Sequence, residues 1–485
     1  MSDAADLLDT REAGGAALRG SVLRTASYVA GILLSLISAR VLIEHLGGPG
    51  FGRYTVVIAL VTVVAGFTEG GLNSIVLREF ATLDEEHRRE MMASAIGMRL
   101  VVTAVGVLVA VAFAAAAGYS ATMVAGTALA GVGLVLQLLQ STLGTTLQAQ
   151  LRFGWVSAVE MLRQVVNVGL LVALALAGAH LLALLAVAIP ASAVSLALTI
   201  PLVVRHTSLR PTFHAARWWR LLRETVPWAV IAAVNIVYFR VALVAMSLTS
   251  SAVQTGYFAT SFRISEVLVA IPGLVIGAAF PILARAERED SPRFDFASGR
   301  IFELALLAGT WLVVCLEVGA AFAIHVIAGH DPSIAVLRIQ GPALIASFIA
   351  VACGYPLLMR RRYREVLFAN LLALVISAVL TLSLAPSLGA RGAALAALVA
   401  EAGLAISQVV MLKRASPGVS LRMSTLLVAA VAGGLAVLVG LVLPVHPLIG
   451  VVAASLVFFV ILRVFGRFPP EVREIIAGRL RQPVR

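Results

Sequence analysis

The chain has 485 residues, 60% of them hydrophobic and only 13% charged, with a mean hydropathy of +0.99. That is far more apolar than an ordinary soluble domain, which excludes a mainly soluble protein and points to a chain embedded in lipid. The net charge of +12, from 37 basic and 25 acidic residues, would suggest nucleic acid in a soluble chain. In a membrane chain the placement of those charges decides their meaning, and no nucleic-acid partner is expected.

The fold class expected is all-α, a polytopic membrane protein. A bilayer core of roughly 30 Å needs about 20 apolar residues per helix, and the apolar stretches allow about fourteen. Segment 1–21 is polar and acidic, without a basic stretch leading into a short apolar core and cleavage site, so no removable signal is expected. An N-lobe at 22–205 holds predicted spans at 22–44, 54–77, 92–117, 121–147, 156–177 and 182–204. A linker at 206–223 leads to a C-lobe at 224–414, with spans at 224–247, 258–284, 301–328, 334–358, 366–385 and 392–412. Two further spans, 423–442 and 448–465, make up the region 423–465, and 466–485 is a polar tail.

With the N-terminus inside, most of the basic residues fall in cytoplasmic segments, Arg360, Arg361, Arg362 and Arg364 being the clearest run. The outer loops keep only Arg53 and Arg391, and the rest, Arg99 among them, lie in or at the edges of spans. Lys and Arg resist translocation, so this asymmetry predicts a cell (inner) membrane protein with both termini cytoplasmic, its basic segments meeting anionic headgroups. Cys315 and Cys353 lie in spans without metal-like spacing, so no disulfide, metal site or cofactor is expected.

The chain repeats itself in parallel. Gly50-Phe51-Gly52-Arg53-Tyr54 is similar to Gln254-Thr255-Gly256-Tyr257-Phe258, and Gly178-Ala179-His180 to Gly389-Ala390-Arg391, each time before a span entered from outside. On the second span Thr55, Ala59, Thr62, Gly66, Glu69 and Asn73 form one small and polar face. Its counterpart on the eighth is Ala259, Arg263, Glu266, Ala270, Gly273 and Gly277. Arg24, Tyr28, Gly31, Ser35 and Ser38 make a similar stripe on the first span, which the repeat relates to Asn235 on the seventh. The expectation is two six-helix lobes whose faces line a central cavity, plus two C-terminal helices. Small residues also let helices pack closely, which is the alternative reading of the glycines. Pro227, Pro272 and Pro342 interrupt backbone bonding within spans. Gly48-Pro49-Gly50-Phe51-Gly52 lacks a preceding strand, so it reads as a tight outer turn and not a phosphate loop.

The order Ala39-Arg40-Val41-Leu42, Leu46 to Tyr54, Glu69-Gly70-Gly71-Leu72-Asn73 and Leu77-Arg78-Glu79 resembles the oligosaccharide flippases of the Wzx type. These belong to the multidrug/oligosaccharidyl-lipid/polysaccharide exporter superfamily. Gly256-Tyr257-Phe258-Ala259 and Leu388 to Ala394 are similar to that family's recurrent segments, so the resemblance covers about residues 20 to 415. It implies flipping of a polyprenyl-pyrophosphate-linked oligosaccharide from the inner to the outer leaflet by alternating access. Membrane lipids and other polysaccharide assembly proteins would be its partners, and no covalent chemistry is involved.

Such a cargo suits an arginine-lined cavity, since the guanidinium fork matches phosphate oxygens. Ionisable residues within spans mark pathways. The substrate-binding candidates are Arg263, Arg24, Arg240, Arg53 and Asn235. Arg263 has Glu266 one turn away, so a structural pair is the competing reading. Glu69, Glu266, Glu317 and Glu401 are candidates for binding a coupling ion or proton, against the alternative of hydrogen-bonded packing acids. Arg40 points about 160° away from the first stripe, His325 reads as interfacial, and Glu160 with Arg163 as a structural pair. A membrane glycosyltransferase or polymerase would need a sizeable outer domain, and the outer loops are too short. A multidrug antiporter and a lipid II flippase of the same superfamily are the nearer rivals.

Overall fold

The computed structural model describes residues 11–468 except 70–71, 83, 151, 205–206, 214, 290 and 330–331. Side chains are described from residue 30 onward, with further gaps chiefly at 215–217, 220–228 and 274–282. The described residues are helical throughout and contain no strand. They form two compact units, one ending at Arg240 and the other beginning at Val241. Twelve stretches among the described residues are long and apolar enough to cross a membrane. The first of these, Ala30–Glu69, takes in parts of the first two predicted spans.

The first unit begins with α1 (Arg11–Glu69), whose regular path is broken at Gly47, where φ is 68° and ψ 173°. That left-handed backbone falls to glycine because no Cβ obstructs it. The turn predicted at Gly48 to Gly52 therefore sits earlier. Pro49 to Gly52 already belong to the next helix, and its first turn accepts a proline because the missing N–H has no intrahelical partner there. Gly50 is needed as well, since a Cβ would lie 2.8 Å from that of Leu46.

Next come α2 (Leu72–Thr82), α3 (Glu85–Ala116), α4 (Ala121–Ala149) and α5 (Phe153–Leu176). The predicted sixth span is divided into α6 (Leu181–Ala186) and α7 (Ala188–Val203). Pro190 cannot donate to the Ala186 carbonyl, which accounts for the interruption. Asp84 caps α3 by accepting from the His87 amide at 3.1 Å, and the bonds from His87 hold its carboxyl below the ordinary value. Helix α1 packs on α3, α4 and α5, while α4 lies against α3 and α7. On α3, Val105, Leu108 and Val109 are exposed, as a lipid-facing stripe requires.

Helix α8 (Ala215–Thr249) runs across the boundary between the units. The second unit continues with α9 (Ala252–Glu289), α10 (Ser291–Ile327), α11 (Pro332–Gln340) and α12 (Ala343–Met359), then α13 (Tyr363–Leu388) and α14 (Ala390–Ala415). Helices α11 and α12 together occupy the predicted tenth span. It breaks at Gly341 and Pro342, where proline removes the donor that the Arg338 carbonyl would use. Helix α10 is the centre of this unit, touching α9, α11, α12 and the last two helices, α15 (Met423–Val442) and α16 (Pro447–Val464). Small residues bring α15 and α16 together: a Cβ on Gly450 would lie 3.1 Å from the Gly440 carbonyl oxygen.

The repeat seen in sequence has a structural counterpart within each unit. In the first, His45 Nε2 donates to the carbonyl of Ala179 at 2.7 Å, beside Gly178 with φ +75°. In the second, the Ala390 amide donates to Gln254 Oε1 at 3.0 Å, beside Gly389 with φ +57°. The loop after the sixth span also returns to the third in both units. A Cβ on Gly97 would meet the Thr212 carbonyl oxygen at 2.3 Å, and one on Gly299 the Ser420 carbonyl oxygen at 3.0 Å.

Candidate functional site

The small and polar face of the second span divides into two kinds of position. Ala59 is fully buried, and a Cβ on Gly66 would lie 2.8 Å from Ile236 of α8, so these two serve close packing. Thr62 is half-buried, and Glu69, the last residue of α1, is exposed. On α9, Ala259 is buried while Arg263, Glu266, Ala270 and Gly273 are half-buried. Gly273 has open space where a Cβ would stand. Gly277 and the side chains of Arg24 and Tyr28 lie outside the described residues.

Arg263 Nη1 donates to Glu266 Oε2 at 2.7 Å. An anionic cargo reaching this guanidinium competes with a carboxylate that already neutralises it. Arg240 and Asn235 are half-buried on α8, and Arg53 is exposed just after the Gly47 turn. Arg40 pairs with Glu44 at 2.9 Å on an exposed surface, and Arg163 with Glu160. His325 is exposed and its Nδ1 donates to the Ala321 carbonyl at 2.7 Å.

The acids differ in their surroundings. Glu401 is buried on α14 and accepts from Ser347 Oγ of α12 at 2.8 Å, satisfying one lone pair within the protein. Glu317 on α10 is half-buried, and its Oε1 has no hydrogen-bond partner among the described residues. That oxygen lies against the α11–α12 break, 2.6 Å from where a Cβ on Gly341 would be. No group of three or more His, Cys, Asp or Glu side chains able to hold a metal occurs among the described residues.

A further charged residue is more deeply set than any of these. Arg99 on α3 is 1% exposed and is the largest of the fully buried side chains among the described residues. Its Nε donates to Thr142 Oγ1 of α4 at 3.0 Å, Nη2 to Asn73 Oδ1 of α2 at 2.7 Å, and Nη1 to the carbonyl of Thr68 near the end of α1. Asn73 in turn donates to Ser141 Oγ of α4 at 2.8 Å. A cation taken out of water needs such bonding, because each charge transferred carries a desolvation penalty of several kcal/mol. Here neutral acceptors supply it. Sequence reasoning placed Arg99 merely within a span; its one signal there was an arginine two turns inside an otherwise apolar run.

A model of the polysaccharide biosynthesis protein family matches residues 17–287. The chain belongs to that family. Among solved structures, the lipid II flippase MurJ in an inward closed conformation is similar with a TM-score of 0.78. The two are 13% identical over 92% of this chain and 99% of that one. An inward-facing multidrug resistance MATE family transporter of the MOP superfamily gives 0.64, with 12% identity over 80% and 95% of the respective chains. A MOP superfamily transporter from Pyrococcus furiosus gives 0.60, with 13% identity over 83% and 96%. Identities this low speak for the fold, which is the one these flippases and transporters have in common. None of the curated proteins matches the chain. This member of the polysaccharide biosynthesis protein family is thus a multi-pass helical membrane protein with a flippase and transporter fold.

Proposed function

We propose that the protein carries a polyprenyl-pyrophosphate-linked oligosaccharide from the inner to the outer leaflet of the cell membrane by alternating access, with both termini cytoplasmic. The observation that carries this reading is the family match over residues 17–287, on a fold that flippases share. The short connections support transport over catalysis: α3 and α4 are joined by 117–120, α5 and α6 by 177–180, and α8 and α9 by 250–251. Loops of that size hold no catalytic domain. Arg24, Arg53, Arg240, Arg263 and Asn235 receive the pyrophosphate and sugar, and Glu266 exchanges places with the phosphate on Arg263. Glu69, Glu266, Glu317 and Glu401 are the acids available for a coupling ion, and the buried Oε1 of Glu317 has no hydrogen-bond partner among the described residues. Membrane lipids and other polysaccharide assembly proteins are its partners.

The test is leaflet translocation of a fluorescent polyprenyl-pyrophosphate oligosaccharide in proteoliposomes, comparing the wild type with Arg263→Ala and Arg24→Ala. Transport by the wild type, lost in folded variants, supports the reading. Exchange of an organic cation for protons without lipid movement replaces it with an antiporter. A second reading, flipping of lipid II, is favoured by the similarity of 0.78 to MurJ over 99% of that chain. Offering lipid II in the same assay separates the two cargoes.

A further inference from the structure

The break of the tenth span at Gly341 and Pro342 gathers oxygen acceptors. Pro342 withholds the N–H that the Arg338 carbonyl would use. Gln340, the last residue of α11, is 5% exposed, and its Oε1 has no hydrogen-bond partner among the described residues. Against this break α10 sets Glu317, whose buried Oε1 is likewise without one. A Cβ on Gly341 would lie 2.6 Å from that oxygen and 3.4 Å from the carbonyl oxygen of Leu337, so both acceptors border the space that the glycine leaves open. The Leu337 carbonyl accepts from the Gly341 amide at 2.8 Å and keeps a second lone pair. An ionised carboxylate can only accept, whereas a protonated one carries an O–H donor. A proton on Oε1 therefore turns an unfavourable contact between acceptors into a hydrogen bond.

Helices α9, α11, α12, α15 and α16 pack on α10. On α9, Arg263 is bonded by Glu266, and Tyr257 lies near the start of the helix. Helix α12 carries Cys353 and Tyr355, and α15 has no ionisable residue. Near the end of α10, His325 is held by the Ala321 carbonyl, and His446 at the start of α16 by the Leu448 amide. The remaining charges of α9, α10 and α16 lie toward the opposite end of α10, as the packing of Leu283 on Phe294 and the bond from Trp311 to Ser455 show. Arg338 is the charged residue of α11, three positions before Gly341, and its Nε has no hydrogen-bond partner among the described residues.

We propose that Glu317 is a proton-binding site of the transport cycle, with the Leu337 carbonyl as partner of its protonated form and the Arg338 guanidinium as partner of its ionised form. The inference rests on the transport reading above and names the proton as the coupling ion. A proton from water binds Glu317 Oε1, and the new O–H donates to the Leu337 carbonyl. Its return to water leaves a carboxylate, which turns to Arg338. The arrangement observed, with Oε1 beside Leu337 and Arg338 Nε unbonded, is that of the protonated form. A helix that has lost a backbone bond bends more readily at that point, so the change of partner acts where α11 meets α12.

The experiment uses the full chain in proteoliposomes and two measurements. The first is the infrared difference spectrum between acidic and alkaline buffer, for the wild type, Glu317→Gln and Arg338→Gln. The second is transport of the fluorescent lipid-linked oligosaccharide under an imposed proton gradient or an imposed sodium gradient. We expect a protonated-carboxyl band in the wild type that Glu317→Gln removes. In Arg338→Gln the band should persist into more alkaline buffer, since the ionised form has lost its partner. Wild-type transport should rise severalfold under the proton gradient, and Glu317→Gln should abolish that rise. A difference spectrum that Glu317→Gln leaves unchanged, or a rise driven by sodium alone, overturns the proposal. A band that titrates in Arg338→Gln as in the wild type overturns the exchange with Arg338. If Glu317→Gln does not fold, Gly341→Ala crowds the carboxyl out of its place and should shift the band; a band that stays is again a refutation. If the wild type moves no lipid-linked sugar, the transport reading fails on its own, and the spectra still decide whether Glu317 exchanges a proton.

Discussion

The second span of the first unit and the eighth span of the second are repeat partners, yet they handle charge in opposite ways. Helix α9 runs without interruption from Ala252 to Glu289 and neutralises Arg263 with Glu266 on the same helix, 2.7 Å away. On its partner the acid, Glu69, is exposed, and the nearest buried cation described, Arg99, comes from α3 and bonds the neutral groups of Thr68, Asn73 and Thr142. A pair within one helix forms as soon as the helix does and asks nothing of its neighbours. A cation shared among three helices forms only when all three are docked. The first arrangement is settled within its own helix; the second depends on the docking of α3 and α4.

The sharpest way to break this contrast is Arg99→Met, which keeps the volume and leaves the Thr68 carbonyl and the Asn73 amide oxygen without their donor. Stranding such groups costs about 1–3 kcal/mol each, so thermal unfolding in detergent should show the largest loss of any single variant described here. Next comes a test of the loop that returns to the third span in each unit. Gly97→Ala places a methyl 2.3 Å from a carbonyl oxygen, while Gly299→Ala places it at 3.0 Å. The first should cost roughly 1–3 kcal/mol and the second under about 1 kcal/mol by the same melt; equal losses would mean that the two returns are equally loose. A double-mutant cycle on Arg263 and Glu266 should give about 0.5 kcal/mol, the usual worth of a half-exposed pair on one helix. A much larger coupling would place the pair out of reach of solvent and cargo alike. The smallest effect expected is Asp84→Ala, which should fray only the first turn of α3, seen as faster amide hydrogen exchange at Glu86 to Arg88 with no change in melting temperature.

The helices were legible because apolar runs of membrane length admit few alternatives, and the Arg263–Glu266 pair because three-residue spacing places both groups on one helix face. The interruptions were less so. Pro190 and Pro342 mark where a backbone bond is lost, but whether a helix bends or breaks there depends on what packs against it. The turn was found in sequence as a glycine cluster, yet the left-handed backbone falls on Gly47, one residue before the predicted cluster. Contacts between distant segments left no local trace: Ser347 and Glu401 are separated by 54 positions, and Arg99 and Thr142 by 43. Arg99 shows the limit most clearly, since an arginine in an apolar run reads the same whether it faces lipid, water or the inside of a helix bundle. For Glu69 the residue type carried the signal and the structure supplied its exposure.

The two bonds from His45 to Ala179 and from Gln254 to Ala390 span 134 and 136 positions. Each ties the beginning of one unit to the loop before its own sixth span, and neither needs a residue from the other unit. During synthesis the first can therefore close as soon as Ala179 has been inserted, while most of the second unit is still untranslated. The chemistry differs, a side chain giving a proton to a peptide in one unit and taking one in the other, but the length of chain enclosed is nearly the same. Each half thus carries its own point of closure for the growing chain and can latch on its own schedule.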